Sequence, residues 1–159
     1  MPAPDFCALL LGLGLAGCAA APLPAAPEGA RGFYAPLASP EGRVDPLAAR
    51  DLISIYRHNN GRSPLTIDPA LQAAAEAKAQ AMAAAGRAEG SVALDPRRGF
   101  AVSNVSAGYH TLAEAFSGWR QSPPHNAHML DPRARRIGIA TAYAPGSKYK
   151  VFWALVLTD

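Results

Sequence analysis

The stretch Trp119-Arg120-Gln121-Ser122-Pro123-Pro124-His125-Asn126-Ala127-His128-Met129-Leu130 decides how the rest of the chain is read. It carries one of two tryptophans and two of four histidines. The Pro-Pro pair stops one helix and opens another, because proline is tolerated only in a helix's first turn. Ser122 occupies the N-cap position and Pro123 the first helical position, so a short helical turn is expected to present His125, His128 and Met129 at spacings of three and four. A rigid elbow thus aims an imidazole.

Upstream, Thr111-Leu112-Ala113-Glu114 has the spacing of a capping box, and Leu112, Ala115, Phe116 and Trp119 follow at helical intervals. That spacing assigns Glu114 to its own helix terminus. His110, just before the cap, reads as a loop residue. Two Asp-Pro pairs mark earlier helix starts. After Asp45-Pro46, the positions Ala48, Leu52, Ile55, Tyr56 and Asn59 suggest an amphipathic helix closed near Gly61. After Asp68-Pro69, the positions Leu71, Ala74, Ala75, Lys78, Ala79 and Met82 suggest a second, closed by Gly86. Residues 87–100, broken by Gly90, Asp95-Pro96 and Gly99, read as a loop.

Ala101 to Ala107 reads as an extended segment. Arg136 to Tyr143 and Tyr149 to Leu157 read as strands of an antiparallel hairpin joined by Ala144-Pro145-Gly146-Ser147-Lys148. The second is apolar on both faces, which places it centrally in a layered fold. The expectation is an α+β domain with helices on both faces of a short antiparallel sheet.

Several of these segments together resemble the bacterial branch of the CAP superfamily, named for cysteine-rich secretory proteins, antigen 5 and pathogenesis-related proteins. The elbow is similar to that family's Trp-x-x-Ser-Pro-x-His segment. Ile53 to Leu71, containing Ser63-Pro64-Leu65-Thr66-Ile67-Asp68-Pro69-Ala70-Leu71, resembles its opening helix and the approach to its second. With Val102-Ser103-Asn104-Val105 and Ile137-Gly138-Ile139-Ala140, the likeness extends over about 110 residues in the right order. It implies an α-β-α sandwich.

The resemblance also implies a cavity formed by two histidines and two acidic residues, with His125 at the position of the histidine after Ser-Pro. Asn104 matches the asparagine of the family's Gly-Glu-Asn, but Ser103 stands at the glutamate. A serine cannot be a carboxylate base and is a poor ligand for a divalent ion. The loop that usually brings a second histidine has none, since no histidine lies between His58 and His110. A cavity around His125, Asn104 and Ser103 is therefore expected to be degenerate, with no metal, no cofactor and no catalytic residue assigned.

His125 and His128, three apart, suit one ion only if a third ligand joins them. The enzymatic alternative is a hydrolase acting on peptide or envelope substrates through His125 with Ser103, Ser106 or Ser122. It lacks an assignable aspartate and a Gly-x-Ser-x-Gly elbow, and the cap position is expected to occupy Ser122. A second alternative is a protein-interaction scaffold without a pocket.

The 159-residue length suits one domain. Residues 1–17 read as a lipoprotein-type signal peptide, an apolar run too short to span a bilayer that ends in Leu15-Ala16-Gly17-Cys18 and resembles a lipobox. Its n-region lacks Lys and Arg and contains Asp5. Cys18 is then the lipidated N-terminus, residues 18–45 an Ala/Pro-rich tether, and 46–159 the CAP-like domain. Cys7 leaves with the signal, so the mature fold has no disulfide.

The net charge of +3 comes from scattered residues, with no basic stripe of the kind nucleic-acid binding needs. The expected protein is a monomer, exported and held by its lipid to the bacterial envelope, in the periplasm or at the outer membrane. Its partner would be a small apolar ligand, a cell-wall component or an envelope protein.

Overall fold

A computed structural model describes residues 32–95, 97 and 99–159. The stretch read as a signal peptide, Cys18 and the start of the segment read as a tether lie outside the described residues. Four main helices and four strands follow in the order α1 (Pro46–Asn59), β1 (Thr66–Ile67), α2 (Pro69–Ala85), β2 (Ala101–Ala107), α3 (Leu112–Gln121), α4 (Pro123–Met129), β3 (Arg136–Tyr143) and β4 (Val151–Thr158). One sheet has the strand order β1-β3-β4-β2, with β1 parallel to β3 and the other pairs antiparallel. No helix among the described residues is long and apolar enough to cross a membrane.

The helix starts follow from their caps. Asp45 accepts hydrogen bonds from the Leu47 and Ala48 amides, Asp68 from those of Ala70 and Leu71, and each is followed by a proline whose missing N–H needs no partner. Thr111 Oγ1 accepts from the Glu114 amide at 3.2 Å, and Glu114 reaches back to the His110 amide at 2.6 Å. Glu114 is thus tied to its helix terminus, one residue further back than in a standard capping box. Gly86 ends α2 in the left-handed conformation at φ 70°.

Strand β4 is buried along its whole length and divides two cores. Val151, Trp153, Leu155 and Leu157 face α1, α3 and α4, while Phe152, Ala154 and Val156 face α2. On the α2 side β3 presents Gly138, Ala140 and Ala142 to Ala75 and Ala79 of the helix. A Cβ on Gly138 would lie 2.2 Å from the Leu71 backbone, so the helix sits as close as a bare strand allows. On the other side Trp119 is wholly buried against Trp153, edge to face at 5.9 Å, and its indole N–H donates to Ser106.

Three features differ from the sequence expectation. The buried face of α1 is Ala49, Ile53 and Arg57, whereas Ile55 is 59% exposed and Asn59 is exposed. The true stripe contains a buried arginine, so the apolar pattern pointed to a face rotated by about one residue. Leu37 and Val44 belong to the core, and packing reaches further toward the N-terminus than the Ala/Pro-rich composition suggests. Ser122 sits at the start of α4 but makes no side-chain cap; its backbone N–H ends α3 while its carbonyl accepts the first bond of α4.

Trp119→Ala should destabilise the domain by about 3–5 kcal/mol in chemical denaturation, because it empties a ring-sized volume between α3 and β4. A loss below about 1 kcal/mol would contradict this packing.

Candidate functional site

Ser103 and Asn104 are neighbours on β2, so the pleat sends their side chains to opposite faces of the sheet. Asn104 is fully buried and meets α4. Its Nδ2 donates to the His125 carbonyl at 3.1 Å, and its Oδ1 lies 2.9 Å from His128 Nδ1. The first bond fixes the amide's orientation, since a carbonyl can be approached only by a donor. The oxygen therefore faces His128, whose Nδ1 must carry the proton. In the uncharged tautomer that this bond selects, the lone pair is on Nε2.

Arg57 holds the other end of α4. Its guanidinium is wholly buried and donates to four backbone carbonyls: Ser63 at 2.8 Å, Met129 at 2.7 Å, Asp131 at 3.1 Å and Ala134 at 2.9 Å. Burial, followed by the charges of Arg135 and Arg62, weakens its hold on the proton, but a guanidinium stays charged at any working pH. Midway, the Tyr56 hydroxyl donates to Asn126 Oδ1 at 2.8 Å. The short helix is pinned at its start, centre and end.

Beside β2 lies a cleft of about 450 Å³ whose walls include Val92, Leu94, Val102, Ser103, His128 and Val156. The loop after α2 closes one side, and the Val92 amide donates to Ser103 Oγ at 3.3 Å. The serine at the expected glutamate position thus ties the loop down. Of the residues singled out from sequence, Ser103 lines the cleft and Asn104 sits behind it. His125 does not line it: its backbone carbonyl is used, and its half-buried ring makes no hydrogen bond among the described residues.

The imidazole at the cleft is that of His128, one helical turn further on. His110 and Glu114 are exposed and do not line it. Among the described residues no three His, Cys, Asp or Glu side chains converge as a metal site would require. Neither His125 nor His128 accepts a hydrogen bond from a serine hydroxyl there. Ser106 instead accepts from Trp119.

The profile of the CAP cysteine-rich secretory protein family matches residues 50–157. The chain belongs to the CAP family. Its fold is similar to an outer surface protein from Borrelia burgdorferi, with a TM-score of 0.60, 14% identity, and coverage of 68% of this chain and 86% of that one. It is also similar to an extracellular protein containing an SCP domain from Bacillus anthracis (TM-score 0.59, 16% identity, 72% of this chain and 40% of that one). A cysteine-rich secretory protein from Staphylococcus aureus gives 0.54 at 14% identity, over 70% of this chain and 36% of that one. This chain thus spans less than half the length of the latter two proteins. No curated protein matches the sequence.

Arg57 is the structural residue that sequence reading missed. The available signal was its place four residues after Ile53 and eight after Ala49, which puts it in the buried stripe. For His128, the helical spacing from His125 was visible, but the partner that selects it was not.

Burial, and next the neighbouring His128, push the His125 pKa below its ordinary 6.5. The folded state therefore binds this proton less readily than the unfolded chain. Stability contributed at His125 should be level above about pH 6.5 and fall as the pH drops from there through the folded value. Denaturation midpoints at about pH 8 and pH 5 should separate less in His125→Gln than in the unaltered chain. An equal separation would contradict the assignment.

Proposed function

We infer that this CAP domain is exported, held at the bacterial envelope by a lipid on Cys18, and works by binding rather than catalysis. Its ligand would be a small molecule with both polar and apolar parts, such as a cell-wall fragment, seated in the cleft by Ser103 and His128. The surface or extracellular character of the Borrelia and Bacillus proteins named above supports export, as does the leader-like N-terminus. The observation that carries the binding reading is the use made of the motif's polar groups. Asn104 is consumed in holding α4, and the Ser103 oxygen accepts from the loop at Val92, which leaves its O–H as a donor.

The cleft's lining is mixed: the hydroxyls of Ser91 and Ser103, the His128 imidazole, the Asp95 carboxylate, which is paired with Arg97, and apolar surface from Val92, Leu94, Val102 and Val156. Such a lining suits a small ligand that offers several polar groups beside an apolar part. A general base needs a proton donor within reach, and among the described residues no serine is bonded to either imidazole.

The test adds muramyl dipeptide, and separately hexanol, to the folded protein while its amide resonances are followed. Shifts at Val92, Val102, Ser103 and His128 that vanish in Val102→Trp support a ligand cleft. Undisturbed resonances with both probes would count against it. In parallel, covalent labelling of a serine by a fluorophosphonate, lost in His125→Ala or His128→Ala, would replace binding by hydrolysis.

A further inference from the structure

The sheet has an open edge that the cleft does not use. β1 pairs with β3 only at Arg136 and Ile137, so β3 continues past it for six residues with no strand on that side among the described residues. The Asp68 amide donates to the Ile137 carbonyl, which shows which backbone groups face outward. Both groups of a strand residue point the same way, and the direction alternates, so Ile137, Ile139, Thr141 and Tyr143 turn their N–H and C=O away from β4.

At Ile139 the outward pair is satisfied by one side chain. Gln72 Nε2 donates to the Ile139 carbonyl at 2.8 Å, and Gln72 Oε1 accepts from its amide at 3.1 Å. A primary amide thus makes the two bonds that a neighbouring strand would make. At Thr141 and Tyr143 no described residue bonds the outward groups.

That edge lies at the bottom of a groove. Two adjoining hollows of about 410 and 360 Å³ run along it, with Ile139 to Ala144 as floor. One wall is the segment from Arg43 to Pro46, fixed where the Val44 amide donates to Thr141 Oγ1 at 3.0 Å. The other is α2, with Glu76 and Gln80 giving way to Ala83 and Ala84. The floor is about 20 Å long, enough for some six extended residues.

We propose that this recessed edge of β3 is a docking site for an extended peptide segment of another polypeptide, which adds as a strand at Thr141 and Tyr143. The unpaired backbone groups specify the chemistry of the occupant, because two N–H donors and two C=O acceptors in alternation are what a β-strand completes. The walls specify its form. A second copy could not pair edge to edge, since its own β3 is sunk between the same walls, whereas a free strand enters the groove. Ala83 and Ala84 leave room for small side chains on the side facing α2. The added strand would continue the line of β1, with Gln72 marking the boundary between them.

The probe is a capped hexapeptide, acetyl-Ala-Thr-Val-Thr-Val-Ala-amide, added at millimolar concentration to the full chain while amide exchange is measured. Exchange at Thr141 and Tyr143 should slow by about tenfold at saturation. Ala84→Trp, an exposed position where the fold has no need of alanine, should abolish the effect by filling the groove. Gln72→Ala should extend the protection to Ile139. No slowing at Thr141 and Tyr143, or slowing that survives Ala84→Trp, would overturn the proposal. So would strong protection of both amides before any peptide is added, because the edge would then be covered by the chain itself.

Discussion

The carboxamide of Asn104 is the interaction on which the site depends. It lies fully buried between β2 and α4, where a polar group left without partners costs about 1–3 kcal/mol, so its two bonds are requirements of the fold. Those bonds reach two different parts of α4, the His125 backbone and the His128 ring. They convert a strand position into an orientation for an imidazole. No other amino acid of that size both donates and accepts in this way. Aspartate lacks the donor and would bring a charge into the interior.

Arg57 completes the same device from the opposite end. Burying a guanidinium is costly, and the cost is offset only when its donors are matched. Here four carbonyls supply that match, among them the last residue of α4 and two from the turn leading to β3. A cation at a helix C-terminus is also favoured by the aligned peptide dipoles. The described residues contain no disulfide framework, and these two polar anchors, with the Trp119–Trp153 contact, hold a seven-residue helix that could not persist alone.

How much of this was legible follows from the kind of signal each feature leaves. Asp45-Pro46, Asp68-Pro69 and Thr111 to Glu114 announce helix starts because capping is local chemistry, and β4 is recognisable as central because both its faces are apolar. The phase of α1 was obscured by Arg57, whose charge reads as surface until its carbonyl partners, 6 to 77 residues away, are in place. β1 has two residues and leaves no periodic trace. At the site, Ser103 and Asn104 were visible as motif positions. That His128 rather than His125 lines the cleft was not, since it depends on which turn of α4 meets Asn104 across a separation of 24 residues.

The most direct test of this account is the tautomer of His128, read from long-range proton–nitrogen correlations of the imidazole at a pH where the ring is neutral. With Asn104 donating to the His125 carbonyl, the proton must reside on Nδ1 and the lone pair on Nε2. Observation of the Nδ1–H form in the unaltered chain, and its loss in Asn104→Ala, is the expected result. A ring protonated on Nε2 in the unaltered chain would contradict the account, because Asn104 could not then orient it.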